Sequence, residues 1–592
     1  MTQIHSSIAA SLNDDRANEI RGQTPCDAIE PGTHLTTQGP PARWALLSTP
    51  HPPQNTRKPK ENRTHTDELS IIRGVLISML AFTSGVFALN PASTCRTARN
   101  TAFASYGHNP VADLPFDVVE GSVPAWLKGS YVRNGPGLFE AGERRMEHWF
   151  DGYGMLMRVK LDGDGPPLLT TRFVDSDAYR SVKDRSTMGF AEFMTPLVEQ
   201  GSGLPEQLRG LAELAFGAPT DNACVNVCSR SSSDQLVAMT ETQRSWWSVD
   251  LETLATKERV EWSGDDVGQL STAHAQRDPA GGGWINVGTQ IAPPLWSQYH
   301  IFRLSDDAPA ERQILASIPC ADGAAPNWLH SFALTKDKVV VFEQPAAYSV
   351  AAMVGLASAS HGSIQWSPEE GTRVHVLDRA TNALTTHVVE PAFFFFHVAN
   401  AFDAPDGSGD VMVDLCSFDG PEIVTALRLD RLTDDALATD LPESRLVRLT
   451  VSAGGGPPTT RPLDDVHVTG GFSDLPTIAP GVTGVPSYRF VYSIGAARPT
   501  VVSNRLVKTD VSGRGGDAAF EVEGMLPGEP LFVPRPGGTE EDDGVVLAIG
   551  TDPEGSTSLY VLDARTMRLV ARCRSAIALP AGFHGEWCSD DA

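Results

Sequence analysis

Arg373-Val374-His375-Val376-Leu377-Asp378-Arg379-Ala380-Thr381 reads as a β-strand running into a turn. Apolar residues alternate up to Leu377, and an Asp whose side chain bonds the backbone two residues on then opens a hairpin. The same Asp-led turn recurs at Asp250-Leu251-Glu252-Thr253, Asp430-Arg431-Leu432-Thr433 and Asp563-Ala564-Arg565-Thr566, and in weaker form at Asp162, Asp306 and Asp510. These seven turns mark one antiparallel unit per roughly 50 to 70 residues, with few helices between them, and predict an all-β fold of the β-propeller type.

The units also carry histidines in matching settings. Asn327-Trp328-Leu329-His330-Ser331-Phe332-Ala333-Leu334-Thr335 reads as one strand, followed by a Lys-Asp-Lys turn and a second strand, Val339-Val340-Val341-Phe342. Period-2 geometry points the His330 imidazole inward. One inward histidine is an ordinary core residue, and only a constellation argues for a metal. His274 in Ser271-Thr272-Ala273-His274, His397 after Phe393-Phe394-Phe395-Phe396, and His584 in Gly582-Phe583-His584-Gly585 supply that constellation. Four neutral imidazoles without a thiolate suit a borderline metal, and ligand type alone leaves zinc, copper and iron open. His148, His361, His375, His387 and His467 read as structural or exposed.

Composition excludes several function classes. With 47 Lys plus Arg against 73 Asp plus Glu, the 592-residue chain carries a net charge of −26, which repels phosphate backbones and argues against nucleic acid. The eight cysteines are scattered, with no second pair beside Cys224 and Cys228 to complete a zinc site, and read as reduced thiols. No Ser-His-Asp pattern, P-loop or dinucleotide fingerprint follows a strand.

Residues 1–68 are rich in Pro, Thr, Asn and charge without an apolar period, and read as a disordered extension. Residues 69–110 read as a hydrophobic, transit-like targeting segment. Its apolar run from Val75 to Ala88 is shorter than the ~18 residues of a membrane span, and no acid occurs between Glu68 and Asp113. This composition suits plastid import, with a membrane-associated cytoplasmic protein as the alternative. Residues 111–592 form the β-rich domain. Gly189–Val198 and a helix from Pro205 to Phe216, with Leu204, Leu208, Leu211 and Leu214 at helical spacing, interrupt its hairpins.

The four histidine segments, with Gly129-Ser130-Tyr131-Val132-Arg133-Asn134-Gly135-Pro136, His148-Trp149-Phe150-Asp151-Gly152-Tyr153-Gly154-Met155 and Phe583-His584-Gly585, resemble the carotenoid cleavage oxygenase family. Met239-Thr240-Glu241-Thr242, Glu343-Gln344-Pro345 and Glu540-Glu541-Asp542-Asp543-Gly544-Val545-Val546-Leu547 look most like its animal β-carotene oxygenase and retinoid isomerohydrolase branch. The resemblance implies a seven-bladed β-propeller with a helical, apolar cap over the metal-bearing face, in peripheral contact with a membrane. It implies one Fe(II) per subunit held by His274, His330, His397 and His584 from four inner strands, with O2 as co-substrate. Glu241, Asp474 and Glu529 stand at the positions whose carboxylates hold these histidines, although the family pattern has Glu where this chain has Asp474. The implied activity is cleavage of a carotenoid or apocarotenoid C=C bond to two carbonyl products. A retinoid isomerohydrolase using the same iron, or a metal-free binding propeller, are the alternatives. Phe393, Phe395, Trp328 and Phe332 lie near the ligands in sequence and are candidates for an apolar substrate tunnel. No protein partner is legible.

Overall fold

The computed structural model describes residues 96–107, 109–198, 202–216, 219–229, 235–291, 297–320, 325–353 and 361–590. The extension assigned to 1–68 and the apolar run within 69–95 lie outside the described residues.

Seven sheets of four to six strands, antiparallel except where Ser263–Gly264 runs parallel to Glu311–Pro319, follow one another along the chain as the blades of a propeller. The ring is closed from both ends of the chain. Strand Asp117–Gly121 pairs with Leu569–Arg574 as the outer edge of the seventh blade, and Gly585–Ser589 pairs with Gly129–Leu138 as the innermost strand of the first. Each closure pairs backbone groups that would otherwise form an open edge, and together they tie the two ends of a long chain.

The middle strands of the blades are buried on both faces, which explains their continuous apolar runs, whereas the outermost strands are exposed. In strand Lys338–Glu343 of the fourth blade, Val340 and Phe342 pack with Val413 and Leu415 of the fifth. Val339 and Val341 pack with Ile285, Val287 and Ile301 of the third.

The Asp-led turn joins the third and fourth strands of six blades. Asp250, Asp378 and Asp563 each accept hydrogen bonds from both the N–H and the hydroxyl of the Thr three residues on. The next residue, Leu254, Asn382 or Met567, then takes a left-handed φ of 54 to 56°. Asp162, Asp306 and Asp510 stand at the same position of the first, third and sixth blades. Asp430 does not. It lies in the short helix Leu429–Thr433, inside an insertion between the second and third strands of the fifth blade, whose own outer hairpin spans 451–459.

Two other expectations change. Residues 96–107, assigned by sequence to the targeting segment, belong to the folded unit, because helix Arg96–Ala102 buries Ala98, Arg99 and Ala102. The helix Leu204–Phe216 forms as expected, but Leu204 and Leu208 are 65% and 56% exposed, so this part of the stripe faces away from the blades. The apolar stretch 189–198 is irregular and buries Met194 and Val198. Among the described residues, no helix is long and apolar enough to cross a membrane.

The turns supply a pH test. The Lys257 ammonium, 2.9 Å away, and next the Thr253 donors pull the Asp250 carboxyl down from 3.8 to about 2. Its contribution is therefore complete above pH 4 and is lost as pH falls through about 2. Asp250→Asn should cost about 1 kcal/mol or less at pH 6, given the exposure of the turn. Denaturant titrations of wild type and variant should converge near pH 2.

Candidate metal centre

Four irregular backbone segments bring four imidazoles together on the propeller axis. His274 lies between two short pairings with strand Gly283–Gln290. Ser271 pairs with Gly288 and Gln276 with Ile285, so two extra residues bulge out on the histidine side. His397 lies in strand Phe394–Asp403 where the register slips by one between Phe395 and Val398. His330 and His584 precede the inner strands Ala333–Leu334 and Gly585–Ser589. The 327–335 segment is thus not one strand. Asn327 bridges to Ala347 and only Ala333–Leu334 extends, because a flat pleat would turn alternate side chains away from the axis.

The Nε2 atoms of His274 and His330 are 3.1 Å apart, those of His330 and His397 3.2 Å, and those of His397 and His584 3.2 Å. All four donor atoms lie within 4.8 Å of one another. Their other nitrogens set the tautomer. Nδ1–H of His330 donates to Glu241 Oε1 at 2.5 Å, that of His397 to Asp474 Oδ1 at 2.7 Å, and that of His584 to Glu529 Oε1 at 2.7 Å. A carboxylate only accepts, so Nδ1 carries the proton and the Nε2 lone pair of these three rings points inward.

Converging lone pairs at this spacing repel unless a cation sits among them, so the donor set fits a metal ion. With nitrogen–metal bonds of about 2.1 Å, ligands at right angles stand about 3.0 Å apart and tetrahedral ones about 3.4 Å. The observed 3.1 to 3.2 Å falls between the two values, a spacing at which all four imidazoles would reach one ion.

Burial works against charge on two of the rings. Burial first, then the neighbouring imidazoles, hold His274 well below the usual histidine range. Burial also lowers His330, against the pull of Glu241. At Glu529 burial raises the carboxyl, but His584 and Arg133 together outweigh it and leave it below its usual range. Two of the carboxylates are themselves held. Trp328 Nε1–H donates to Glu241 Oε2 at 2.7 Å, and Gly585 N–H to Glu529 Oε2 at 3.1 Å.

Asp474 reaches His397 directly, with no bridging group. Leu475 has a left-handed φ of 48°, and the register with the next strand slips between Asp474 and Thr477. This bulge moves the backbone toward the ring and supplies the reach that a shorter side chain lacks.

A cavity of about 1110 Å3, counting its open mouth, reaches His330, His397 and His584. Its walls are largely aromatic, with Trp149, Phe150, Phe193, Trp328, Phe396 and Phe583 among them. Of the four tunnel candidates only Trp328 lines it. Phe393 and Phe395 pack between the fourth and fifth blades, and Phe332 between the third and fourth. Alternation puts Phe394 and Phe396 on the axial side, and the one-residue bulge then turns His397 to that side as well. Trp149 and Phe150 also line the cavity, although the sequence marks them only as part of His148-Trp149-Phe150-Asp151 and not as cavity residues. His148 is buried, with Nε2 2.7 Å from the Val424 carbonyl and Nδ1 accepting the Phe150 N–H at 3.1 Å, so it shapes the turn that presents both rings.

The family model described as retinal pigment epithelial membrane protein matches residues 103–589. The chain belongs to the carotenoid cleavage oxygenase family. It is 34% identical over 483 residues to the chloroplastic carotenoid cleavage dioxygenase 8 homolog A of Oryza sativa subsp. japonica, spanning 80% of this chain and 85% of that protein. It is 30% identical to the mitochondrial carotenoid-cleaving dioxygenase of Mustela putorius furo, spanning 79% and 92%. In fold it resembles a variant of Synechocystis apocarotenoid oxygenase, with a TM-score of 0.69 and 24% identity over 84% of this chain and 99% of that one. Overall identity is higher to the rice chain than to the ferret chain, so the animal-like strings do not by themselves select a branch.

The carboxylates can be tested one at a time. Asp474→Ala should free the His397 ring and raise the metal dissociation constant about 10- to 100-fold. Asp474→Glu should weaken binding less, since its longer arm must fold back from a bulge shaped for Asp. Competition with a chelator measures both, and values within about twofold of wild type for both variants would remove Asp474 from the site.

Proposed function

We propose that this chain is a non-haem Fe(II) dioxygenase that cleaves one C=C bond of a carotenoid or apocarotenoid into two carbonyl fragments. The observation that carries this reading is the pairing of four converging imidazoles with a cavity lined by aromatic side chains. The cavity's carboxylates, Glu241 and Asp474, already hold ligand histidines, so they are not available as acid or base. Iron held by His274, His330, His397 and His584 would supply the activation of O2. The chain's own part is to bind, orient and keep dry. A polyene offers no charge to grip, and aromatic walls such as Phe193 tilted against Trp328, with centroids 4.6 Å apart, hold it by area and shape.

The exposed Leu204 and Leu208 support a peripheral membrane contact through which an apolar substrate would enter. The acid-poor stretch before Asp113 and the chloroplastic name of the rice relative support a plastid location. Residues 1–95 fused to a fluorescent protein in an algal host should mark plastids, and a diffuse cytosolic signal would count against that location.

Purified iron-loaded protein incubated with β-carotene and apocarotenals should yield pairs of aldehydes, with one O2 consumed per double bond cleaved. His330→Ala should lose most of its metal and its activity. Isomerised retinoid without O2 uptake would instead establish the isomerohydrolase reading, and full metal occupancy in His330→Ala would remove that ligand.

A further inference from the structure

Helix Arg96–Ala102 sits on the far side of the ligand segment that carries His584. One end is anchored in the insertion of the fifth blade. Arg99, fully buried, donates to the Leu432 carbonyl at 2.9 Å and pairs with Asp435, which Arg96 also reaches at 3.3 Å. A flank rests on the turn between the second and third strands of the seventh blade, where a Cβ at Gly555 would meet Thr101 at 2.8 Å and Thr97 at 3.1 Å. The C-terminal end touches the site. The Ala102 carbonyl accepts the Ala581 N–H at 2.8 Å, and Trp149 Nε1–H donates to the Ala581 carbonyl at 3.3 Å. Ala581 is thus gripped on both sides, three residues before His584. Phe103 stands edge-on to Trp149 at 5.3 Å, and Trp149 packs on Phe583 at 4.5 Å. Phe103, Trp149, Ala581, Phe583 and His584 all line the cavity.

We propose that the Arg96–Phe103 segment is a positioning element of the metal centre and a specificity-determining wall of the substrate cavity, an inference that rests on the proposed function. The Ala102 carbonyl fixes the 581–584 segment, so the His584 ring is held from behind by backbone and from its Nδ1 side by Glu529. Phe103 closes the same end of the cavity and, through Trp149 and Phe583, limits the length and width of polyene that reaches the histidines. N-terminal processing therefore has to stop short of Arg96.

The test uses the full-length chain with cobalt(II) in place of iron for binding and the iron-loaded form for turnover. Phe103→Ala should change the ratio of kcat/KM between β-carotene and a shorter apocarotenal at least fivefold, mainly through KM, with Phe103→Leu restoring most of it. Arg99→Met should raise the cobalt dissociation constant about tenfold, the scale of losing support behind a ligand, and shift the visible cobalt bands, with Arg99→Lys between. A lowered melting temperature in Arg99→Met with cobalt affinity and bands unchanged would overturn the positioning role. An unchanged substrate ratio in Phe103→Ala would overturn the wall. Should Arg99→Met yield no folded protein, the positioning role is read from cobalt affinity in Ala581→Pro, which removes the N–H that the Ala102 carbonyl accepts and where an unchanged value overturns it. A wild type that binds cobalt but cleaves no polyene would refute the proposed function while the cobalt arm still decides the positioning role.

Discussion

Each imidazole hydrogen bond at the propeller axis sets two things at once. When Glu241, Asp474 or Glu529 accepts the Nδ1 proton, the ring is fixed in rotation and its other nitrogen is left as a bare lone pair aimed at the axis. Without the carboxylates the buried rings could adopt the other tautomer or turn toward a blade, and the four nitrogens would no longer form one site. The rest of the fold supplies this arrangement with rigid supports. Glu241 follows the second strand of the second blade, Asp474 opens the inner strand of the sixth, and Glu529 lies in the inner segment of the seventh. Histidine and carboxylate thus come from different blades, and every such bond also ties blades together.

The irregular backbone at the axis follows from the same constraint. A regular inner strand would present every second side chain to the next blade, not to the centre. Bulges at His274, His397 and Asp474 redirect these side chains locally while the outer strands keep their register. The middle strands of the blades can then be bland, with Val, Ile, Leu and Phe packed on both faces, and Asp-led turns lead to more exposed outer strands. Stability sits in the blades and chemistry in the places where blade regularity is broken.

The cavity adds a second layer. Its walls are drawn from distant stretches: Phe103 beside the first helix, Trp149 and Phe150 from the His148-capped turn, Phe193 from the irregular stretch over the blades, Trp328 and Phe396 from ligand segments. Trp328 serves both layers, since its indole N–H holds Glu241 while its ring packs on Phe193 and Phe396. The shape of the cavity and the arrangement of the histidines are for this reason coupled through shared side chains.

By itself the sequence determined the repeat, through Asp-x-x-Thr turns whose local hydrogen bonds need no tertiary partner, and the four histidines, whose motifs are long enough to be specific. Short-range chemistry of this kind survives in a linear reading. It failed at Asp430, where the same four-residue pattern sits in a helical insertion, because only packing decides whether an Asp opens a turn or a helix. Which faces of the Phe393–Phe396 run look into the cavity depended on one extra residue in a bulge, and a bulge is a property of two paired strands. The role of residues 96–107 was hidden for a similar reason. Ala102 and Ala581 are almost the whole chain apart, and their contact exists only once the ring has closed.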